Sequence, residues 1–531
     1  MESNDITHCP FSRRGFLAGV SGTAVALVVS GAGGGALGGD VLAAGPGTET
    51  LEAEVTADPA LDLDMIQGNV LAGFGSDFQA LVFVAFPTAA TGRSWLSALS
   101  PSIASTRRVM VGAGEHTWLN VAFTHVGLAA LGTPPNELRR FPNDFREGMR
   151  RRAEIIGDRG RNDARTWPAE YRAQFHAVVL VGAANANDLA AALEGQHLLA
   201  ANHGVAVAYV QHGAVRADEP GHEHFGFRDG ISQPGIRGFT VAQNPLDPNQ
   251  GVPGQDLLWP GEFVLGYPGQ PGVGGGDAAG PITRSGPEWS ANGSYLVMRR
   301  LRQDVAAFRM LLADAAARQG VTEDLAGARL VGRYKSGAPL SLTGEDRRDP
   351  GASDRALLAD DRINNFEFQE DDPDGELVPL SAHIRKVYPR DQPTDDGGEE
   401  DTQTHRILRR GIPFGASLPA GATATDAAAT ASFPDDRGLL FMCYQSSIAQ
   451  QFEFTQRRWA NDPDFPRDGA GEDPVIGRMQ SFVVTTGGEY FFQPSIAALL
   501  LLSAERTPAP RAAPTSAPAR RRRRRRREPG G

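Results

Sequence analysis

The feature that most constrains the fold is a recurring alternation of strand-length apolar runs with short helical patterns. In the first half of the chain the strand-like runs are 78–86, 118–123, 175–181 and 205–210, and the helical patterns are 94–99, 126–131 and 186–193. Short runs rich in Val, Phe and Leu are typical of buried strands. Strands that alternate with helices and end in adjacent strands favour the split β-α-β unit of a ferredoxin-like domain.

The second half repeats this arrangement. Strand patterns occur at 294–299 and 438–444, helical patterns occur at 303–319 and 448–459, and a closing hairpin is predicted around Gly487 and Gly488, with arms at 482–485 and 490–492. The sequence therefore predicts an α+β protein built from two ferredoxin-like domains, with antiparallel sheets and flanking helices.

The N-terminus has the pattern of a twin-arginine export signal. Arg13 and Arg14 lie in Ser-Arg-Arg-Gly-Phe-Leu, before a Gly-rich apolar stretch and a small-residue site that ends at Ala44. The stretch is too broken by glycine for a stable membrane span, so we expect cleavage near Ala44 and no span in the mature form. Retention as an anchor and a plain disordered basic terminus are the alternatives. Export by this machinery to the periplasm, the cell envelope or the medium carries folded proteins, often with a cofactor.

These patterns predict six regions. They are a signal peptide (1–44), a disordered linker (45–61), an N-terminal ferredoxin-like domain (62–250), a Gly/Pro-rich connector (251–286), a C-terminal ferredoxin-like domain (287–505) and a disordered Pro/Ala/Arg-rich tail (506–531).

Charge and cysteine content exclude several classes of protein. The 531 residues carry a net charge of −11, and without 1–44 and 520–531 the remaining 42 basic and 59 acidic side chains give −17. An acidic body argues against a folded surface specific for nucleic acid. The run Arg520 to Arg527 is expected to be disordered, and anionic polymers or lipids are its conceivable contacts.

Cys9 and Cys443 are the two cysteines in the sequence, so the mature chain has no intrachain disulfide and a transition metal would need histidine or carboxylate ligands.

Three segments carry candidate chemical groups, and each has an ordinary structural alternative. Asp229 stands between two glycines in 226–230, which is also the pattern of a simple turn. His383 lies in the basic segment 382–390 and is either a packed or surface histidine or an axial ligand of haem iron. Arg409, within 406–415, is either a solvated arginine or a fixed positive charge.

Two further motifs are weaker. His222, Glu223 and His224 suggest a metal site, but no third ligand is visible nearby, and the three residues more readily shape the approach to Asp229. Ser232 lacks the Gly-x-Ser-x-Gly elbow of a hydrolase.

Five segments in this order resemble the dye-decolorizing peroxidase family, over about residues 62 to 500. They are GFRDGISQP, NGSYLVMRRLRQDV, AHIRKVYPRD, RILRRGIPFG and GLLFMCYQSSIAQQFEF. The resemblance implies two ferredoxin-like domains and one haem b (iron protoporphyrin IX) per chain, held mainly by the C-terminal domain.

The resemblance also implies roles for single residues. Asp229 matches the distal aspartate, Arg409 matches the distal arginine and His383 matches the proximal iron ligand. Arg410, beside Arg409, is the first neighbour to exclude.

The remaining predicted contacts surround the cofactor. Leu439 and Phe441 are expected to line the distal haem face, and Arg385 is expected to bind a haem propionate. Asp473 is predicted to accept a hydrogen bond from the His383 ring, and its alternative is a surface turn.

The implied activity is the reduction of hydrogen peroxide with oxidation of dyes, phenols or other aromatic reductants, through an oxoferryl intermediate. Asp229 would shuttle a proton between the two oxygens, and Arg409 would stabilise the separating charge. Because an ordinary aspartate titrates near pH 4, about the model-peptide value, such a base predicts activity that is best in acid. Trp459 and Tyr388 are candidates for passing electrons outward to bulky substrates, although buried packing is the commoner role.

Two other classes of function stay open at this stage. One is an exported haem-binding or iron-acquisition protein on the same scaffold, and the other is a haem-free interaction module. The sequence is compatible with an oligomer.

Overall fold

The structure is a computed structural model that describes residues 58–112, 114–244, 247–252, 254–343, 349, 361–417, 436–478, 480, 482–505 and 531. The predicted signal peptide, nearly all of the predicted linker and the arginine run lie outside the described residues.

The strands of the described residues are numbered in chain order. They are β1 (Phe78–Ala85), β2 (Thr117–Phe123), β3 (Ala177–Ala183), β4 (Ala206–Ala214), β5 (Gly235–Ile236), β6 (Ala242–Asn244), β7 (Asp247–Gly251), β8 (Gln255–Leu258), β9 (Ser294–Gln303), β10 (Leu408–Arg409), β11 (Ile412–Phe414), β12 (Gly438–Gln445) and β13 (Val483–Gln493).

The α-helices are numbered in the same way. They are α1 (Gly68–Leu71), α2 (Ala89–Leu99), α3 (Thr106–Val111), α4 (His125–Ala130), α5 (Pro135–Leu138), α6 (Asn143–Glu147), α7 (Ala169–Arg172), α8 (Ala186–Asn202), α9 (Val305–Gln319), α10 (Glu323–Val331), α11 (Phe368–Asp371), α12 (His383–Val387), α13 (Glu399–Thr402), α14 (Phe452–Phe454) and α15 (Ile496–Ser503).

The main sheet contains both halves of the chain. Its order is β10-β12-β9-β13-β2-β3-β1-β4, with β11 also paired to β12, and the pairs are antiparallel. The first half contributes β4-β1-β3-β2 and the second half contributes β13-β9-β12-β10, so each half has the strand order of a ferredoxin-like unit. The predicted α+β class with antiparallel sheets and flanking helices is confirmed.

The two units share one sheet and one hydrophobic core. β13 meets β2 at the pair Phe492 and Phe123, and a single cluster of buried side chains includes Phe83 of β1 and Phe491 of β13. A second, smaller sheet has the order β5-β8-β7-β6 and follows the loop that carries Asp229.

The two ends of the main sheet also approach each other. Gly213 of β4 lies so close to β11 that a Cβ atom there would be 2.6 Å from Cγ2 of Ile412 and 3.1 Å from the carbonyl oxygen of Pro413. Only glycine allows this approach without displacement of β11. The sheet is therefore curved toward a barrel, with its ends joined by packing.

The expected hairpin at Gly487 and Gly488 is wrong. β13 runs through both glycines as one strand paired with β9, and the irregularity there is a bulge between Thr485 and Gly487. Cβ atoms at these glycines would lie 2.4 Å from the ring of Tyr171 and 2.4 Å from the sulfur of Met149. The glycines make room for packed side chains, and they do not form a turn.

Two other elements differ from the sequence patterns. The helix expected at 448–459 is reduced to α14 followed by a π-helical turn, Thr455–Ala460. The predicted connector contains β8, which pairs in parallel with β5. In the described part of the chain, none of the helices combines the length and hydropathy needed to cross a membrane.

Candidate functional site

A cavity of about 310 Å³ is lined by β9, β12, β13, α12 and the loop after β4. It brings together five residues that the sequence predicted as a site, which are Asp229, His383, Arg409, Leu439 and Phe441. Asp229 comes from the first half of the chain and the other four come from the second half, so the cavity depends on the folding of both halves.

Asp229 and Arg409 form an ion pair at the cavity. The Nη1 atom of Arg409 donates to Oδ1 of Asp229 at 3.0 Å, and the backbone N–H of Gly230 donates to the same oxygen at 2.7 Å. The Asp229 side chain is 29% exposed and the Arg409 side chain is 33% exposed. Both charged groups therefore face the cavity and are not sealed in the core.

The loop before Asp229 is held by a neighbouring carboxylate. The backbone N–H groups of Phe225 and Phe227 donate to the carboxylate of Glu223 at 2.9 Å each, and Gln303 of β9 donates to it as well. Burial raises the pKa of Glu223 to about 7, against the lowering effect of these donors, and the charge of Asp229 adds to the increase. Glu223 therefore lines the cavity and holds the backbone of the loop that leads to Asp229.

His383 is the first residue of α12 and has one ring nitrogen already engaged. Its Nδ1 atom lies 2.8 Å from Oδ2 of Asp473, whose other oxygen accepts from the N–H groups of Val475 and Ile476. The Asp473 side chain is fully buried. A carboxylate on Nδ1 fixes the tautomer in which Nε2 has a lone pair, and His383 lines the cavity. This is the donor arrangement of a metal-binding histidine.

The apolar part of the cavity comes from alternate residues of β12. Leu439 and Phe441 are partly accessible, while Leu440 and Met442 between and after them are buried on the other face. The period of two in a strand produces this division. One face of β12 therefore presents a flat apolar wall to the cavity.

Arg385 lies outside the cavity, which corrects the prediction that it binds a propionate. Its side chain is fully buried, and its guanidinium donates to Asp372, to the carbonyl oxygen of Val378 and to Gln392. All of its N–H donors have protein acceptors, and Arg385 is not among the residues that line the cavity. Arg385 is a structural arginine.

Arg390 and Arg333 reach the cavity in place of Arg385. Arg390 comes from the same basic segment, and its guanidinium lies 3.9 Å from the ring centre of Phe366. Burial, together with repulsion by Arg390 and Arg409, lowers the pKa of Arg333 to about 9. The two guanidinium groups lie near each other, since Arg333 donates to Oδ1 of Asn364 and Arg390 donates to its backbone carbonyl oxygen. Neighbouring cations at a cavity favour an anionic ligand. Together with the free His383 Nε2, these residues fit a haem with its two carboxylate groups.

Comparison with known proteins agrees with this geometry. A family model described as the DyP dimeric alpha+beta barrel domain matches residues 65–217, and one described as Dyp-type peroxidase, C-terminal, matches residues 277–498. Together the matches cover more than half of the chain. The chain belongs to the dye-decolorizing peroxidase family.

Individual members of the family are similar over most of their length. A dye-decolorizing peroxidase from Mycena epipterygia is 33% identical over 508 residues, which are 85% of this chain and 88% of that protein. Among solved structures, an ancestral D-type dye-decolorizing peroxidase has a TM-score of 0.71 at 32% identity, and the alignment covers 84% of this chain and all of that one. A dye-decolorizing peroxidase in complex with 2,6-dimethoxyphenol has a TM-score of 0.68 at 30% identity, with the same coverage.

A match of a different kind bears on the iron-acquisition alternative. A deferrochelatase from Yersinia pestis is 28% identical over 207 residues, which are 39% of this chain and 33% of that protein. Dye-decolorizing peroxidases match twice as much of the chain at higher identity, so the alternative is not favoured.

The remaining candidate residues have other partners. The His222 ring contacts the carbonyl oxygen of Pro220, and Nε2 of His224 contacts that of Phe414. Throughout the described residues, no group of three His, Cys, Asp or Glu side chains is placed to hold a metal ion. The separate metal site suggested by His222, Glu223 and His224 is therefore not formed.

The two aromatic candidates for electron transfer are buried. Trp459 is fully buried and packs on the ring of Phe465, and the hydroxyl of Tyr388 donates to Asp256 at 2.6 Å. Tyr388 lines the cavity, whereas the indole of Trp459 packs behind it. Arg410 does not line the cavity, and its guanidinium donates to carbonyl oxygens at the end of α1 and to the carbonyl oxygen of Arg409.

Proposed function

We propose that the protein is a haem-dependent peroxidase that reduces hydrogen peroxide and oxidises dyes, phenols or other aromatic reductants. It would hold one haem b per chain, with His383 as the residue that binds the iron. One cavity brings together the Asp229–Arg409 pair, His383 with its Asp473 contact, and the two arginines Arg333 and Arg390. This convergence is the observation that carries the proposal. When bound, the haem iron supplies the redox chemistry that cleaves the O–O bond.

Each protein group has a defined task in this reaction. Asp473 holds the proton on Nδ1 of His383, which leaves Nε2 as the ligand atom and makes the ring a stronger donor. The Asp229 carboxylate takes the proton of the incoming peroxide and returns it to the departing oxygen. Arg409 stabilises the negative charge that develops between the two oxygens, because its guanidinium carries a positive charge and lies beside Asp229.

Other residues hold the cofactor. Arg390 would pair with a carboxylate group of the haem, since it lines the cavity. Arg333 lines the cavity beside it, but its guanidinium already donates to the carbonyl oxygens of Gly337 and Ile363 and to Asn364, so it would contribute mainly its positive charge. Leu439 and Phe441 would pack on the apolar face of the ring and exclude water from it.

The substrate class is inferred from the relatives. A relative has been solved with 2,6-dimethoxyphenol, a small phenol. We expect small phenols and dyes to be oxidised, with the highest rates in acid, because the proton acceptor is a carboxylate.

A spectrum and four variants test the proposal. The purified protein should show the absorption of a histidine-bound ferric haem and oxidise dyes when peroxide is added. His383→Ala should lose haem. Asp229→Asn and Arg409→Leu should keep haem and lose about 10²-fold or more of the turnover with peroxide, the typical size for a proton-transfer group. Asp229→Asn/Arg409→Leu together should react no faster than either single variant.

A surface ion pair gives the matched control. Asp374 and Arg467 are 3.1 Å apart with side chains 72% and 50% exposed, and neither residue lines the cavity, so Asp374→Asn and Arg467→Leu make the same chemical changes outside the site. These two variants should retain wild-type turnover. Fast turnover in the double distal variant would reject the assigned roles, and a haem spectrum without dye oxidation in the wild type would favour the iron-acquisition alternative.

Export is a further part of the proposal and rests on the sequence of the N-terminus. Arg13 and Arg14 in their Ser-Arg-Arg-Gly-Phe-Leu context support transport through the twin-arginine pathway to the cell envelope or beyond. Replacing both arginines by lysine should leave the protein inside the producing cells, as measured by fractionation. Unchanged export would point to another route.

A further inference from the structure

The two distal residues are held together although they are far apart in the sequence. Asp229 and Arg409 are separated by 180 positions, and each is about one-third exposed to the cavity. Packing alone does not fix side chains with this much freedom, and a contact between charged groups at a cavity surface is weak by itself. Their 3.0 Å contact therefore requires support from the backbone.

Arg409 lies in a strand that gives it little support. β10 has two residues and forms one edge of the main sheet, where β12 is its partner. At a sheet edge, backbone N–H and C=O groups that face outward have no strand to bond. A short edge strand is also the part of a sheet that frays most easily.

Gln233 takes the place of the missing strand. The backbone N–H of Arg409 donates to Oε1 of Gln233 at 3.0 Å, and Nε2 of Gln233 donates to the carbonyl oxygen of Arg409 at 3.2 Å. That carbonyl oxygen also accepts from Nη1 of Arg410 at 2.9 Å, so the bond to the N–H is the one that Gln233 alone supplies among these contacts. The amide thus makes the pair of bonds that a neighbouring strand would make. The backbone of Gln233 is anchored in turn, because its N–H donates to the side chain of Gln255.

The loop that carries Asp229 and Gln233 also binds the guanidinium of Arg409. Nη2 of Arg409 donates to the carbonyl oxygen of Ser232 at 2.8 Å, while Nη1 reaches Asp229. Gln233 is four residues from Asp229, so one short loop fixes both the backbone and the guanidinium of Arg409. Ser232 lines the cavity with them, but Gln233 does not.

We infer that Gln233 is a positioning residue that sets the contact between Asp229 and Arg409 by clamping the backbone of Arg409. The inference rests on the proposed peroxidase function for its consequence, because the distal pair must be in place when peroxide arrives. Gln233 itself does not line the cavity, so it acts through Arg409. A displacement of about 1 Å of a reacting group can lower a rate about 10²-fold, so loss of the clamp should be visible in the peroxide step.

Two substitutions separate the parts of the clamp. Gln233→Leu removes both hydrogen bonds with little change in size. Gln233→Glu keeps an acceptor for the N–H of Arg409 but places a carboxylate oxygen against its carbonyl oxygen. We expect Gln233→Leu to lower the rate constant for the reaction of peroxide with the ferric protein by about tenfold to a hundredfold per bound haem. Gln233→Glu should show a smaller loss.

Gln67 supplies a matched control. Its side chain makes the same pair of bonds with the backbone of Val121, at 2.9 and 3.0 Å, in the first half of the chain. Gln67 does not line the cavity. Gln67→Leu or Gln67→Glu should lower the melting temperature without altering the peroxide rate constant per bound haem.

Two further readouts do not depend on turnover. The dissociation constant of cyanide from the ferric protein reports the placement of the distal pair, and we expect it to rise at least fivefold in Gln233→Leu and to stay within twofold in the Gln67 variant. Crystal structures of the wild type and Gln233→Leu should show the Asp229–Arg409 separation lengthened beyond hydrogen-bonding distance in the variant alone.

The outcomes distinguish this inference from the proposed function. A wild type that binds haem and cyanide but does not react with peroxide would reject the peroxidase proposal, and the cyanide and crystallographic comparisons would still decide the role of Gln233. An unchanged Asp229–Arg409 separation, or peroxide and cyanide constants within twofold of wild type in Gln233→Leu, would overturn the inference. A fall in melting temperature alone would assign Gln233 a purely structural role and would overturn it as well.

Discussion

Glu223 is a carboxyl group in the cavity wall whose titration should be visible in the stability of the protein. Burial raises its pKa from 4.5 to about 7. Between these two values the folded chain keeps a proton that the unfolded chain has released, so the folded state loses stability as the pH rises through this window. A shift of this size corresponds to about 3 kcal/mol.

Glu223→Gln removes this titration. We expect the free energy of unfolding of the variant, relative to wild type, to increase by about 3 kcal/mol between pH 4.5 and pH 7.5. Urea titrations of both proteins at the two pH values measure it. Glu288→Gln, at a side chain that is 96% exposed, is the control and should follow the wild type. Parallel pH dependence of Glu223→Gln and wild type would contradict the prediction.

Asp473 should control the affinity for haem through the His383 ring. In Asp473→Asn a single amide oxygen replaces two acceptors, so it cannot serve both His383 Nδ1 and the N–H groups of Val475 and Ile476. If the amide NH₂ turns to His383, the ring proton moves to Nε2 and the ligand atom is lost. Loss of such a partner typically costs about 10- to 100-fold in affinity.

The measurement is the rate of haem transfer to an excess of a haem-free globin. Asp473→Asn should lose haem about 10- to 100-fold faster than wild type. Asp374→Asn, on the surface, should not differ from wild type. Equal rates for all three proteins would mean that the Asp473 contact does not tune the ligand.

Arg385 and Arg390 show where the residue-level prediction failed and why. His383 and Arg385 are two positions apart on α12, and residues two apart in a helix point to different sides. The sequence shows a basic segment without a helical pattern, so it does not indicate which of its arginines faces the cavity. Asp229, His383, Arg409, Leu439 and Phe441 were found because motifs in the sequence match a known family; their meeting at one cavity follows from the fold.

At the scale of elements, α12 joins the cavity to the segment that carries Asp473. Lys386 lies one turn after His383, and its ammonium group donates to the carbonyl oxygens of Asp462, Phe465 and Gly471. The side chain is fully buried, and burial lowers its pKa to about 8. These bonds connect α12 to the chain just before Asp473.

Lys386→Met should loosen this connection. The three carbonyl oxygens would lose their buried donor, at a cost of about 2–4 kcal/mol in the free energy of unfolding. The other lysine of the sequence, Lys335, is partly exposed beside Asp324, so Lys335→Met is the matched control and should change stability by less than about 0.5 kcal/mol. Urea titration measures both. A Lys386→Met protein as stable as the control would show that the carbonyls find other donors.

The elements that could be predicted from the sequence are those whose own residues determine them. The apolar runs of β1, β2, β3, β9 and β12 and the helices α2, α8 and α9 lie where the patterns indicated. For β13 the pattern is misleading. Gly487 and Gly488 leave space for the side chains of Tyr171 and Met149, which pack against them and lie far away in the sequence. No local pattern contains that information.

At the scale of the whole molecule, the two halves are held together by contacts between distant parts of the chain. Arg152 forms a paired contact with Glu453 at 2.6 Å for each bond, and Arg299 pairs with Asp158 in the interior. Both ion pairs join the segment 148–166 to the second half. The sequence predicted two units of one fold, but it did not predict their fusion into one sheet, since that depends on pairings such as Phe492 with Phe123.

Closure of the sheet depends on Gly213, and a single methyl group there tests it. Gly213→Ala places a Cβ atom 2.6 Å from Ile412 and 3.1 Å from the backbone of Pro413, so β11 must move outward. Overpacking of this kind costs about 1–3 kcal/mol. Gly195 lies inside α8, and no atom beyond the helix's own nearby backbone lies within 4 Å of the added group. Gly195→Ala should therefore stabilise the protein by about 0.5–1 kcal/mol, since alanine favours a helix. Thermal unfolding of the two variants should shift in opposite directions, and a Gly213→Ala protein as stable as wild type would show that the two ends of the sheet are not in fixed contact.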